Sequence, residues 1–305
     1  MIILQRAFST EQDQYRMSDL ARQCSDDNLH VVDLPYRFCS WAFDNPENIR
    51  LWVDENQEIV AWAVLQAPFW TIDYVCDPKY ESDLHQEILS WADQRARAVR
   101  DTPYERLAWF VMVFSGQSSR IRDLEKAGFK CQSDVGEDSW SKVLMRRSSP
   151  ARIEVNKPPA GFIVRSLEGE TEVTKYVELH QSVFESKNMT VAWRTRTLKH
   201  PDYRPDLDLV VESPDGRLVA FCICWLDKNS MTGHIEPLGG HKDFRHFGLG
   251  RVAISEGLHR LQSLGVQNIF VETDNYRNPA FRLYESFDFQ TIRDVLVYRK
   301  DFETG

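Results

Sequence analysis

Glu236-Pro-Leu-Gly-Gly-His-Lys-Asp-Phe-Arg-His-Phe-Gly-Leu-Gly-Arg251 spells a strand that breaks, a loop rich in backbone donors and the first turn of a helix. Arg245, Gly248 and Gly250 stand in the spacing Arg-x-x-Gly-x-Gly, and the helix that opens there runs through Leu258 and Leu261 to Gly265. A helix start presents unpaired N–H groups and a partial positive charge, and two glycines remove the Cβ atoms that would keep a pyrophosphate from reaching them. The stretch is an anion site in outline.

Working outward, residues 162–165 read as a short strand, and 170–184 as a helix with Val173, Val177 and Phe184 at helical spacing. A hairpin follows, residues 209–212 and 218–225 about the turn Pro214-Asp-Gly216, then a strand over 234–238 that enters the glycine loop. After the helix come a buried strand at 268–272, a short helix at 279–286 and a closing strand at 291–298. The first half repeats this order: a hairpin of 51–54 and 59–65, a strand at 71–75, a helix at 84–97, a buried strand at 107–113 and a helix leading to Leu124-Glu-Lys-Ala-Gly-Phe129. Phe129 and Phe289 differ by 160 positions, Leu84 and Leu249 by 165, which predicts two copies of one domain. Residues 148–161 lack periodicity and hold three prolines, so they read as a linker, with domains expected over 1–150 and 151–305. The loop of the first copy, Lys79-Tyr-Glu-Ser-Asp-Leu-His85, has no glycine and carries Glu81 and Asp83 where a phosphate would sit. That copy is expected to be structural or substrate-shaping.

Composition narrows the function classes. The 305 residues are 42% apolar and 12% aromatic, enough for real cores. No apolar run approaches the roughly 18 residues of a membrane span, and the start turns polar at once, so no membrane association and a cytoplasmic location are expected. Residues 1–150 hold 17 Lys+Arg against 24 Asp+Glu, and residues 151–305 hold 20 against 22, which together give the net charge of −9. Neither half has the basic surplus that nucleic acid requires. Six cysteines without a Cys-x-x-Cys pair predict neither a disulfide scaffold nor a metal site; Cys222 and Cys224 read as small core residues on one face of a strand.

Three features coincide in the second half: Arg245-x-x-Gly248-x-Gly250 opening a helix, the apolar strand at Ile269–Val271, and Pro279-Ala-Phe-Arg-Leu-Tyr-Glu-Ser-Phe-Asp-Phe289. Together they resemble the GCN5-related N-acetyltransferase (GNAT) family over about 155 residues, and the repeated layout resembles its tandem-domain branch. The resemblance implies an α+β fold of two tandem GNAT-like domains, each a mixed, mostly antiparallel central sheet flanked by helices. It implies acetyl-CoA as cosubstrate, without a metal. The backbone of Arg245, His246, Phe247, Gly248, Leu249, Gly250 and Arg251 would hold the pyrophosphate, and Leu238 and Gly240, on a splayed strand end, the pantetheine amides. Pro237 supplies a physical reason for that splay, because it cannot donate to a ladder. The family's asparagine falls on Arg277, with Asn278 one residue late as a cofactor contact, and its usual glycine before Phe289 is Asp288, which can enter the left-handed region.

By the same resemblance Tyr284 returns a proton to the departing thiolate, and Glu236 takes one from the attacking ammonium group. His234 and His241 stay open as alternative bases. The implied activity is transfer of acetyl from acetyl-CoA to a primary amine of a small molecule through a ternary complex, by a monomer or homodimer. Acetylation of a peptide amine and a non-catalytic acyl-CoA-binding role are the alternatives. Gly248-Leu-Gly250-Arg-Val-Ala253 also fits a dinucleotide fingerprint, but Phe244–Phe247 separate it from the strand and only 57 residues follow Gly248. Residues 187–204, with Trp193 and Tyr203, are expected to cover the acceptor cleft.

Overall fold

The computed structural model describes residues 3–133, 141–148, 151–275 and 278–302. They form two compact units: Met1–Leu144 with Asp274–Tyr276 and Arg293–Gly305, and Met145–Thr273 with Arg277–Ile292. Among the described residues, no helix is long and apolar enough to cross a membrane.

The first unit runs β1 (Leu4–Ala7), α1 (Glu11–Gln23), α2 (Leu34–Phe38), β2 (Ile49–Val53), β3 (Ile59–Gln66), β4 (Thr71–Cys76), α3 (Glu81–Ala98), β5 (Ala108–Phe114), α4 (Ser118–Lys126) and β6 (Lys130–Cys131). The chain leaves this unit within β7 (Ser141–Arg147). Strands lie in the order β1-β2-β3-β4-β5; neighbours are antiparallel up to β4, and β5 is parallel to it. Every residue of β3, Ile59-Val-Ala-Trp-Ala-Val-Leu-Gln66, is buried because helices cover both faces of the sheet. Trp62 packs with Met17 and Leu20 of α1 and donates Nε1–H to the Met17 carbonyl at 2.9 Å. Ala61, Ala63 and Leu65 join Leu84, Ile88 and Ala92 of α3. The sequence expectations did not include α1, although Thr10 and Asp13 form a capping box and Met17, Leu20 and Ala21 share its buried stripe.

The second unit runs β8 (Ile163–Ser166), α5 (Val173–Phe184), α6 (Val191–Lys199), β9 (Asp208–Glu212), β10 (Leu218–Asp227), β11 (Thr232–Gly240), α7 (Leu249–Ser263), β12 (Asn268–Asp274), α8 (Asn278–Glu285) and the start of β13 (Gln290–Asp301). Its order β8-β9-β10-β11-β12 is antiparallel up to β11, with β12 parallel to β11. The plan of the first unit is thus repeated: β3 begins at Ile59 and β10 at Leu218, α4 at Ser118 and α8 at Asn278. Two tandem copies of one mixed α+β scaffold, as the period near 160 implied, are what the chain folds into.

The units do not meet the sequence at residue 150. The proline-rich segment belongs to the second unit, where the Ile153 amide donates to Gln262 Oε1 at 3.0 Å and the Asn156 amide to Ser255 Oγ at 2.9 Å, both on α7. The last part of β13, Val295–Asp301, pairs antiparallel with β5 and is counted with the first unit. A prolyl segment without periodicity resembles a linker in sequence, yet its backbone donors are met by side chains along a helix.

Candidate active site

The pairing of β11 changes twice along its length. Against β10, Cys224 faces Ile235 and Cys222 faces Leu238, so Glu236 and Pro237 fall in a bulge. Trp225 fixes this bulge by donating Nε1–H to the Glu236 carbonyl at 2.8 Å. Against β12, pairing covers Thr232, Gly233 and His234, opposite Asn268, Ile269 and Phe270, and stops there. The two parallel strands therefore part beyond His234 and Phe270. Gly239 sits where α5 closes on this end: a Cβ on it would lie 2.6 Å from Val183 Cγ1 and 2.7 Å from Phe221 Cζ.

The loop beyond is a single 3₁₀ segment, Lys242–Phe247, whose first N–H groups are capped by His241, its Nδ1 accepting from the Asp243 amide at 3.3 Å. Gly248 then takes the left-handed conformation (φ 68°, ψ 22°), and α7 opens at Leu249 with no side chain capping its start. Arg245, His246, Phe247 and Gly248 are exposed. A Cβ on Gly248 would meet nothing within 4 Å, and one on Gly250 would meet Leu283 Cδ2 alone, at 3.9 Å. Uncapped helix N–H groups in open space fit an anion. Arg251 does not turn its guanidinium to this loop: it donates to Ser286 Oγ at 2.5 Å and lies 4.9 Å from the Phe287 ring.

Tyr284, on α8, is 6% exposed and packs edge-on against Phe289 at 5.6 Å. Burial pushes its phenol well above the usual range, helped by Cys222, Glu236, Cys224 and Glu272, so it is protonated at neutral pH and within electrostatic reach of Glu236. Glu236 is half-buried. Of the alternative bases, His234 is 2% exposed inside the sheet and His241 is held by its capping contact. Asp288 has φ 63°, the left-handed conformation expected of it. Arg277 and the side chain of Asn278 lie outside the described residues.

The profile of the Acetyltransferase (GNAT) family matches residues 173–289, from the first residue of α5 to Phe289 after α8. The second unit belongs to the GNAT family. As GNAT relatives, the mycothiol acetyltransferase of Thermomonospora curvata is 28% identical over 144 residues, 46% of this chain and 48% of that protein. That of Thermobispora bispora is 25% identical over 166 residues, 51% of this chain and 56% of that protein. The chain thus spans about half the length of the curated relatives it matches. Similar folds over the whole chain are a GCN5-related N-acetyltransferase from Sphaerobacter thermophilus (TM-score 0.67, 17% identity, 99% of this chain and 96% of that one). A tandem GNAT protein from the clavulanic acid biosynthesis pathway matches equally well (TM-score 0.67, 12% identity, all of both chains). Family membership implies acetyl-CoA as cosubstrate.

The first GNAT-like copy is built differently at the matching places. Asp77 caps the turn before α3, accepting from the Lys79 amide at 2.9 Å, and Glu81 is not the free carboxylate that the sequence suggested, because Arg120 Nε donates to it at 2.7 Å. His85 is 1% exposed and bridges the Tyr74 hydroxyl (2.8 Å) and Asp123 (3.1 Å). The start of α3 itself has no side-chain cap, as at α7, and Asp77 caps the preceding turn as His241 does. What differs is the absence of glycine and the presence of Glu81 and Asp83 in its first turn. Residues 187–204 of the second unit, expected to cover the acceptor cleft, contain a helix. Val191–Lys199 form α6, capped by Thr190 Oγ1 at 3.1 Å from the Trp193 amide, with Trp193 and Arg194 buried. Arg194 and Asp208, both wholly buried, form an ion pair; the Tyr203 hydroxyl donates to Asp208 at 2.7 Å, and Arg194 lies 3.8 Å over the Tyr176 ring. This cluster under α5 and α6 has no local motif and was not foreseen. Among the described residues no group is placed to hold a metal ion, and Cys222 and Cys224, 3.9 Å apart at Sγ, pack under Gly257 of α7.

Proposed function

We propose that the chain transfers the acetyl group of acetyl-CoA to a primary amine of a small molecule, by direct attack in a ternary complex. The observation that carries this reading is the pairing of β11 with β12, which ends at His234 and Phe270 beside the uncapped start of α7. Acetyl-CoA supplies an activated acyl thioester there. The amides of Gly248, Leu249, Gly250 and Arg251 bind its pyrophosphate, with Arg245, His246 and Phe247 exposed around them, and Leu238 and Gly240 bond its pantetheine. Asn278, at the first position of α8, is a further cofactor contact on the same resemblance.

Glu236 receives the proton of the acceptor's ammonium group, directly or through water, as a half-buried carboxylate next to the parted strand ends. Tyr284 delivers a proton to the departing sulfur, and its burial keeps the phenol protonated at neutral pH for that task. A small-molecule acceptor is supported by the two curated relatives, both named mycothiol acetyltransferases. The first unit has a structural or substrate-shaping role. The test is thiol release from acetyl-CoA across a panel of small amines, with product masses recorded. Acceptor-dependent release is expected; acetyl-CoA binding without release from any amine would leave a non-catalytic acyl-CoA-binding protein.

A further inference from the structure

The base proposed for the reaction sits at the register shift of the β10–β11 ladder, and a side chain holds its backbone there. Cys224 pairs with Ile235 and Cys222 with Leu238, so the single residue Ile223 stands opposite both Glu236 and Pro237. Pro237 has no N–H to give to the ladder. Trp225, 2% exposed and paired with His234, donates Nε1–H to the Glu236 carbonyl at 2.8 Å. Glu236 stands two residues beyond His234, and diagonal neighbours on one face of an antiparallel pair, about 7–8 Å apart, are within reach of an indole.

Two comparisons tie this hydrogen bond to Glu236 rather than to the strand as a whole. Past the bulge, Leu238, Gly239 and Gly240 return to register with Cys222, Phe221 and Ala220. The ladder itself therefore holds the part of β11 proposed to carry pantetheine. In the first unit, the hairpin of β3 and β4 runs from Gln66 and Thr71 to Ala61 and Cys76 without a register shift. It has no bulge for a side chain to hold. The bulge and the indole that meets its carbonyl thus occur together, in the copy that carries the proposed base. A bulge bends its strand and re-aims the side chain on it, which is why bulges gather beside active sites.

We infer that Trp225 is a positioning residue for Glu236: its N–H fixes the peptide plane that follows Glu236, and so the direction in which the carboxylate leaves β11. Trp225 is buried, so it acts through Glu236 and not on the substrates. The role rests on Glu236 being the base of the acetyl transfer proposed above. One neutral N–H···O bond is at stake, so its loss lowers turnover by about tenfold and no more.

The test is a double-variant cycle on the full chain. It follows thiol release from acetyl-CoA with the fastest acceptor of a panel that includes benzylamine, 1,4-diaminobutane and glucosamine. Trp225→Phe is expected to lower kcat about tenfold and to leave KM for acetyl-CoA within about twofold. Glu236→Gln is expected to lower kcat about 100-fold, and the double variant to match it within about twofold, because without the carboxylate there is nothing left to position. Trp225→3-benzothienylalanine keeps the bicycle and puts sulfur in place of the N–H, so it separates the hydrogen bond from packing and is expected to match Trp225→Phe. Losses that multiply in the double variant, a parent-like kcat for the benzothienyl variant, or a raised KM for acetyl-CoA in both Trp225 variants would each overturn the role while the acetyltransferase reading stands. A parent that releases no thiol with any amine would overturn that reading, and the role of Trp225 with it.

Discussion

Tyr284 and Leu124 hold the same place in two copies of one helix ending. The Phe289 amide donates to the Tyr284 carbonyl at 3.2 Å, and the Phe129 amide to the Leu124 carbonyl at 3.0 Å. The intervening residues also match, Asp288 bonding Glu285 and Gly128 bonding Glu125 at 3.0 Å each, with both Asp288 and Gly128 left-handed. The backbone motif has been kept in both copies, but the first copy has a wholly buried leucine where the second has a phenol. A phenol, the group proposed to protonate the departing thiolate, is thus present in one copy only at this position. Tyr284→Phe keeps the ring that meets Phe289 and removes the hydroxyl. Turnover is expected to fall about 100-fold while the dissociation constant for acetyl-CoA changes less than about twofold. Steady-state thiol release and calorimetry measure the two; an unchanged rate would remove Tyr284 from the reaction.

Gly239 joins the splayed strand end to α5. Adding a methyl group there brings it 2.6 Å from Val183 Cγ1 and 2.7 Å from Phe221 Cζ, so Gly239→Ala is expected to destabilise the chain by about 1–3 kcal/mol. Val183→Ala removes one of the two obstacles. The double variant should recover part of the loss in urea denaturation, which simple addition of two destabilising changes would not give.

His180 lies flat on Phe221, with ring centroids 5.6 Å apart and planes at 12°. Burial, with the Arg194 charge, pushes its imidazole from 6.5 down to about 3. The unfolded chain therefore binds a proton at His180 that the folded chain refuses between these values, and stability falls as pH falls through that window. His180→Phe retains an aromatic ring on Phe221 and has nothing to protonate. Urea midpoints between pH 7 and pH 4 should drop less steeply for the variant than for the parent. Parallel slopes would show that His180 does not contribute.

What the sequence disclosed depended on how local each determinant is. Gly248, Gly250 and Arg245 sit within six residues, and the left-handed Asp288 follows from its place after α8, so the loop and the helix ending were legible. The two copies were legible because strand and helix patterns recur at one spacing. The Arg194–Asp208 pair was not, since a run of polar residues gives no sign that a strand 14 positions on will bury its arginine. Arg120 and Glu81 are 39 positions apart, and in sequence Glu81 looked like an unpaired carboxylate. The unit limits were obscured for a similar reason: Val295–Asp301 pair with β5, far away along the chain.

The central claim is that two copies of one scaffold hold one cosubstrate site, at the start of α7. Calorimetric titration of the full chain with acetyl-CoA tests it most directly, beside Gly248→Asp, which tolerates the left-handed backbone but sets a carboxylate where the pyrophosphate belongs. The account predicts one acetyl-CoA per chain and affinity at least about tenfold weaker in the variant. Two molecules per chain, or affinity that the substitution leaves intact, would contradict it.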